Sequence, residues 1–222
     1  MRVLYHLPLS PFSRKIRLAL AEKKVEFELR LEKTWERREA FLAINPAGDV
    51  PVLAEEDGSV FADSGAIAEY LEETLPTPSL HGRTATERAE VRRLVAWFDR
   101  KFNAEVTENL VGEKLVKRQA RCGVPDSFAI RAGHANIGYH LAYIAFLCER
   151  RNWLAGEHLT LADLAAAAHL SCVDYLGDVP WSAHEEAKVW YARVKSRPSF
   201  RPLLQDQIPG VPAAASYADL DF

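Results

Sequence analysis

Cysteine is scarce in this sequence of 222 residues: Cys122, Cys148 and Cys172 are the whole supply. Three is an odd number, and the spacings fit neither a zinc site nor a disulfide framework, so reduced and mostly buried thiols are expected. A basic excess is missing as well. Lys and Arg number 28 against 31 Asp and Glu, a formal net charge of -3, which excludes general coating of phosphate backbones, and no nucleic-acid partner is expected. No apolar run approaches about 18 residues. Polar residues and prolines interrupt the N-terminus before any signal-peptide core forms, so a cytoplasmic chain without direct membrane insertion is expected. His134, His140 and His158 lack carboxylate or cysteine partners at metal-ligand spacing, and no metal is predicted. His6 and His169 read as satisfied interior groups.

What is present is a chain that is 48% hydrophobic, enough to bury one large core or two modest ones. Val3 to His6 is a β-prone run stopped by Pro8 and Pro11, and Ser13 reads as the N-cap of an amphipathic helix to Lys24. Val25 to Leu31 alternates as a half-buried strand does. Asn45-Pro46-Ala47-Gly48 is a dense turn signal. Val50 to Ala54 and Ser59 to Phe61, joined by Glu55-Glu56-Asp57-Gly58, read as a hairpin. A helix from Ser64 carries Ile67, Tyr70 and Leu71 on one face and stops before Pro76.

The stretch 76–83, with two prolines and a glycine, has linker composition. After it no convincing strand occurs. The stretches 86–110, 127–150, 160–176 and 184–195 show helical spacing, the pattern of a bundle. The domains expected are therefore 1–75, a linker over 76–83, an all-helical 84–208 and a tail over 209–222 lying extended on the surface.

Four segments in this order resemble the glutathione S-transferase superfamily. They are Ser10-Pro11-Phe12-Ser13-Arg14-Lys15-Ile16-Arg17, Asn45-Pro46-Ala47-Gly48-Asp49-Val50-Pro51-Val52-Leu53, Asp63-Ser64-Gly65-Ala66-Ile67-Ala68-Glu69-Tyr70-Leu71 and Thr160-Leu161-Ala162-Asp163-Leu164. The resemblance implies an α/β thioredoxin-like N-terminal domain followed by an all-α C-terminal domain. It also implies a cis bond before Pro51 that turns the Val50 backbone toward a peptide-like ligand, and a buried capping box at Thr160 and Asp163.

For an enzyme, the resemblance implies glutathione as the ligand. The Ser10 hydroxyl would stabilise its thiolate for attack on an electrophile. Val50 and Pro51 would align its backbone, and Asp63 and Ser64, at a helix start, would hold the charges of its γ-glutamyl end. The chain departs from the family pattern in three places. Phe12 stands where cysteine-type members carry a thiol, Asp49 where many have lysine or glutamine, and Asp63 is one methylene shorter than the usual glutamate.

Further stretches, among them 90–99, 113–118, 150–156, 197–202 and 217–222, closely resemble a subgroup of the superfamily in α-proteobacteria. That subgroup binds the tubulin-like division protein FtsZ. The resemblance implies an FtsZ-binding homodimer at the division site with little or no transferase activity. Its candidate contact residues are Trp35, Glu113, Lys114, Lys117, Arg118, Arg201, Asp219, Asp221 and Phe222. A glutathione transferase and a stress-related binder of the same fold stay open beside it.

Overall fold

A computed structural model describes residues 1–220; Asp221 and Phe222 lie outside the described residues. The chain opens β1 (Arg2–His6), α1 (Pro11–Glu22), β2 (Phe27–Leu31), α2 (Glu39–Leu42), β3 (Val52–Ala54), β4 (Val60–Ala62) and α3 (Ser64–Thr74). The four strands form one sheet in the order β2-β1-β3-β4. β1 runs parallel to β2 and antiparallel to β3, as a βαβ unit followed by a hairpin dictates. Period-2 alternation along β1 sends Leu4 into the main core and Tyr5 into a smaller cluster with Phe41 and Val52 on the other side of the sheet.

β2 is an edge strand, and the half-burial expected of it does not hold: Leu29 and Leu31 are exposed. The N-cap of α1 also differs from expectation. It is Ser10, whose backbone is extended and whose side chain accepts from the Ser13 N–H, because Pro11 opens the helix where a missing N–H costs nothing.

The helical half comprises α4 (Ala85–Ala96), continuing through a π-helical stretch (Trp97–Val116) into α5 (Lys117–Ala120), then α6 (Ser127–Cys148), α7 (Leu161–Tyr175), α8 (Glu185–Lys195) and α9 (Arg201–Leu204). Every residue of α7 is buried, Asp163, His169, Ser171 and Asp174 included, so its polar side chains depend on partners inside the protein. Thr160 and Asp163 form its capping box. At Gly133, α6 lies so close to the preceding helix that a Cβ would meet the Leu110 side chain at 2.8 Å.

One continuous core joins the two halves, running from Leu4 and Ile16 to Leu164 and Trp190. Ion pairs reinforce it. Arg14, fully buried on α1, donates to Pro8 O, Ser171 Oγ, Tyr217 OH and Asp206 Oδ2. The tail, expected to lie extended on the surface, is exposed at most of its described residues but is anchored at one of them. Tyr217 is fully buried, and Tyr175 holds the segment before it by accepting from Ile208 N–H and donating to Val211 O.

The segment between the halves hangs on Glu72. Its carboxylate accepts from Leu80 N–H at 3.0 Å, Lys23 Nζ at 2.9 Å and the Ser79 hydroxyl. Burial works against the charge, but these donors overcome it and hold the carboxyl at about 2, against an ordinary 4.5. The folded value is the depressed one, so the stabilisation is complete above pH 4.5 and is lost as pH falls toward 2. A shift of that size corresponds to about 3 kcal/mol. Glu72→Gln should therefore lower stability at pH 7 and flatten the acid limb of a denaturation midpoint–pH profile; an unchanged limb would refute this.

Candidate functional site

A cleft of about 950 Å³ opens between the two halves. The loop after β1 supplies Leu7 to Phe12 on one wall. Asn103, Thr107, Val111 and Leu115, spaced one helical turn apart, supply the other, and Trp35 and the segment Gln207 to Pro209 leading into the tail also line it.

Ser10 lines this cleft. Its Oγ accepts from Ser13 N–H at 3.2 Å, leaving the hydroxyl hydrogen for an acceptor in the cleft. Phe12, beside it, sets its ring edge-on to His169 at 5.5 Å, so an apolar ring occupies this wall. Trp35, in the single turn Thr34–Glu36, is half-buried and lines the cleft. Arg118 lines the cleft from α5, close against Gly210 of the tail.

Sheet register explains where the other residues expected to hold a ligand fall. Tyr5 pairs with Val52, and Val52 with Ala62. The loop leading from β1 to Ser10, the Val50-Pro51 step before β3 and the Asp63-Ser64 step after β4 therefore lie at one end of the sheet. The Val50-Pro51 bond is cis. Asp63 adopts a positive φ of 73° and caps α3, its Oδ1 accepting from Gly65 N–H at 2.7 Å and Ala66 N–H at 3.1 Å. A non-glycine residue in that region stores strain, a feature that concentrates at ligand sites. One carboxylate oxygen is thereby committed to the cap. Ser64 follows, buried at the helix start. None of Val50, Pro51, Asp63 and Ser64 lies on the walls of the 950 Å³ cleft itself. Asp49 points its carboxylate at the Asn45 side-chain amide, 2.8 Å away.

Of the candidate contact residues, Trp35 and Arg118 share the cleft. Glu113 and Lys114 do not join them. Glu113 accepts from Asp126 N–H and pairs with Lys117, while Lys114 pairs with Asp178 at 2.7 Å. These charges tie the long helix to the start of α6 and to the loop after α7. Arg201 is exposed at the start of α9, and Asp219 is exposed near the end of the described residues.

The histidines hold a surprise for the reading of satisfied interior groups. His169 is fully buried, its Nδ1 2.9 Å from the Thr107 hydroxyl. Its Nε2 faces Asp99 Oδ1 at 3.5 Å, beyond good hydrogen-bond length, and the Nδ1 of His6 finds no hydrogen-bond partner among the described residues. Burial, helped by the nearby Arg17, pushes His6 down to about 4, so it is neutral at physiological pH. Among the described residues no group of three His, Cys, Asp or Glu side chains is placed to hold a metal ion. None of their helices is long and apolar enough to cross a membrane.

Thr107 and the tail residues of the cleft escape sequence reasoning. The one-turn spacing of Asn103, Thr107, Val111 and Leu115 marks a face, but only the packing of the halves reveals that the face borders an opening.

Comparison with known proteins places this architecture. The family model for the glutathione S-transferase N-terminal domain matches residues 4–79, and that for the C-terminal domain matches residues 136–198. A curated relative, FtsZ-localized protein A of Caulobacter vibrioides, is 50% identical over 224 residues, covering 100% of this chain and 98% of its own. The solved structure of FzlA from C. crescentus superimposes with a TM-score of 0.96 at 50% identity, over 100% of this chain and 99% of the other. That of a glutathione S-transferase from Rhodospirillum rubrum F11 gives 0.98 at 62% identity over the whole of both chains. With both domain models matched in order on a sheet-bearing half and a helical half, this chain belongs to the glutathione S-transferase superfamily.

Proposed function

We propose that this protein binds FtsZ filaments as a homodimer at the cytoplasmic division site and regulates bacterial cell division, with little or no transferase activity. The observation that carries the reading is similarity spread over the whole chain, 50% identity to a protein named for its localisation with FtsZ. A two-fold dimer would present two copies of one binding surface and bridge neighbouring filaments through avidity. Trp35 and Arg118, at the rim of one cleft, are the residue types that dominate binding energy at interfaces.

The test is co-sedimentation with polymerised FtsZ. Trp35→Ala should cost about 2 kcal/mol, a loss of roughly 30-fold in affinity, whereas Ser10→Ala should pellet as the parent does. Pelleting of Trp35→Ala equal to that of the parent would refute the assignment of the surface.

One group of observations favours a second reading, glutathione transfer. Ser10 has a free hydroxyl hydrogen in an open cleft, and the strained Asp63 stands at the same end of the sheet. In that reading Ser10 donates to the thiolate, Val50 and Pro51 align the ligand backbone, and Asp63 with Ser64 holds the γ-glutamyl charges. Retention on a glutathione resin, with turnover of a standard electrophile that falls at least about 100-fold in Ser10→Ala, would favour it.

A further inference from the structure

Helix α6 has two apolar faces, and the fold uses one. Gly133, Ile137, Leu141 and Ile144 are buried against the rest of the helical half. On the opposite side Phe128, Ala132, Ala135, Tyr139, Ala142 and Phe146 are all exposed. The exposure is large: 76% for Phe128, 80% for Tyr139 and 45% for Phe146. These six positions follow one another at intervals of four, three, four, three and four, the spacing of the seam along which two helices pair. A helix that only solubilises a fold carries polar side chains there.

The seam is also self-complementary. Laid antiparallel on a second copy of itself about residue 137, it sets Phe128 against Phe146, Ala132 against Ala142 and Ala135 against Tyr139, twice over by symmetry. Large meets small at the centre and aromatic meets aromatic at each end, whereas parallel pairing would put Tyr139 on Tyr139 and leave alanine facing alanine beside it. The charges agree. Each end would bring Asp126 and Arg131 of one copy against Glu149 and Arg150 of the other, two acids and two bases. Arg131 and Arg150 already lie over the rings of Phe128 and Phe146, at 4.5 Å and 4.3 Å from the ring centres, so each terminal aromatic pair would be flanked by both guanidinium groups.

We infer that the exposed face of α6 docks antiparallel onto the same face of a second copy of this chain. The inference rests on the dimer in the reading above and assigns its face and register, and its test measures self-association with no FtsZ present. One helix of 22 residues is about 33 Å long. The contact therefore falls at the small end of stable interfaces, near 1,200 Å² in total, and the association should depend on concentration.

Sedimentation equilibrium of the full chain, taken up to millimolar concentration, should give a monomer–dimer equilibrium. Tyr139→Glu, which changes an exposed side chain and should leave the circular dichroism unchanged, should raise its dissociation constant at least about 100-fold. Register is read by oxidative cross-linking in a background with Cys122 and Cys148 replaced by serine. Ala132→Cys mixed with Ala142→Cys should cross-link readily, and Ala132→Cys alone should not. A protein that stays monomeric, a dimer indifferent to Tyr139→Glu, or self-cross-linking of Ala132→Cys would each overturn the proposal. Loss of FtsZ pelleting in Tyr139→Glu without any change in self-association would also overturn it, giving the face to FtsZ.

Discussion

Replacing Asp163 by alanine should remove about 5 kcal/mol of stability, enough to leave a protein of ordinary stability largely unfolded near 37 °C. Its carboxylate is fully buried and gathers four donors from three parts of the chain. Oδ1 accepts from Leu154 N–H at 2.9 Å and from the Trp190 indole at 3.0 Å; Oδ2 accepts from Thr160 N–H at 3.0 Å and the Thr160 hydroxyl at 3.1 Å. Burial pushes the carboxyl up while those donors pull it down, so the charge is tolerated only because every donor is present. Removing it orphans buried N–H groups of Leu154, Thr160 and Trp190 at once, at about 1 to 3 kcal/mol each. Denaturant unfolding is the measurement. Thr160→Ala, which loses the cap but keeps the acid, should cost only about 1 kcal/mol. A loss below that figure for Asp163→Ala would show that its four contacts contribute no net stability.

That this box could be read from Thr160 and Asp163 alone is instructive, because a cap is a local device whose parts lie three residues apart. The hairpin at Asp57-Gly58 was legible for the same reason, with Gly58 at a φ of 90° where a side chain would be strained. Features set by distant neighbours were not. Val25 to Leu31 alternates, yet β2 is the sheet edge and leaves Leu29 and Leu31 exposed, since alternation records a two-faced strand but not whether anything covers the second face. Glu113 and Lys114 look like a solvated charge run, whereas their partners, Asp126 and Asp178, come from elements far along the chain. In α6 apolar residues occur all round the helix, and sequence cannot say which of two apolar faces meets the core. At the candidate site, Ser10, Val50 and Asp63 were visible through their motifs. Thr107 and the tail residues 207–209 enter only through the closing of one half on the other.

The tail yields the second large effect: a chain truncated before Tyr217 should lose about 4 kcal/mol, as should Tyr217→Ala, by opening a cavity where a buried aromatic ring had been. The ring packs edge-on against Tyr175 at 5.1 Å. Its hydroxyl accepts from Arg14 Nη1 at 3.0 Å and donates to Leu203 O at 3.0 Å, and burial pushes its own ionisation up to about 12. Tyr217→Phe, which keeps the ring and strips one acceptor from a buried guanidinium, should cost about 1 to 3 kcal/mol. The consequence reaches the cleft, because the same Arg14 donates through Nε to Pro8 O at 2.6 Å, two residues before Ser10. Loss of Tyr217 should loosen the loop that carries Ser10, and an FtsZ-binding defect in that truncation would report unfolding as readily as a lost contact. Truncation from Asp219 onward removes only residues beyond the buried tyrosine. It keeps that tyrosine and should cost far less stability than the longer truncation, and a loss of FtsZ pelleting at an unchanged denaturation midpoint is then a loss of contact. Equal midpoints for the two truncations would show that the burial of Tyr217 contributes nothing to the fold.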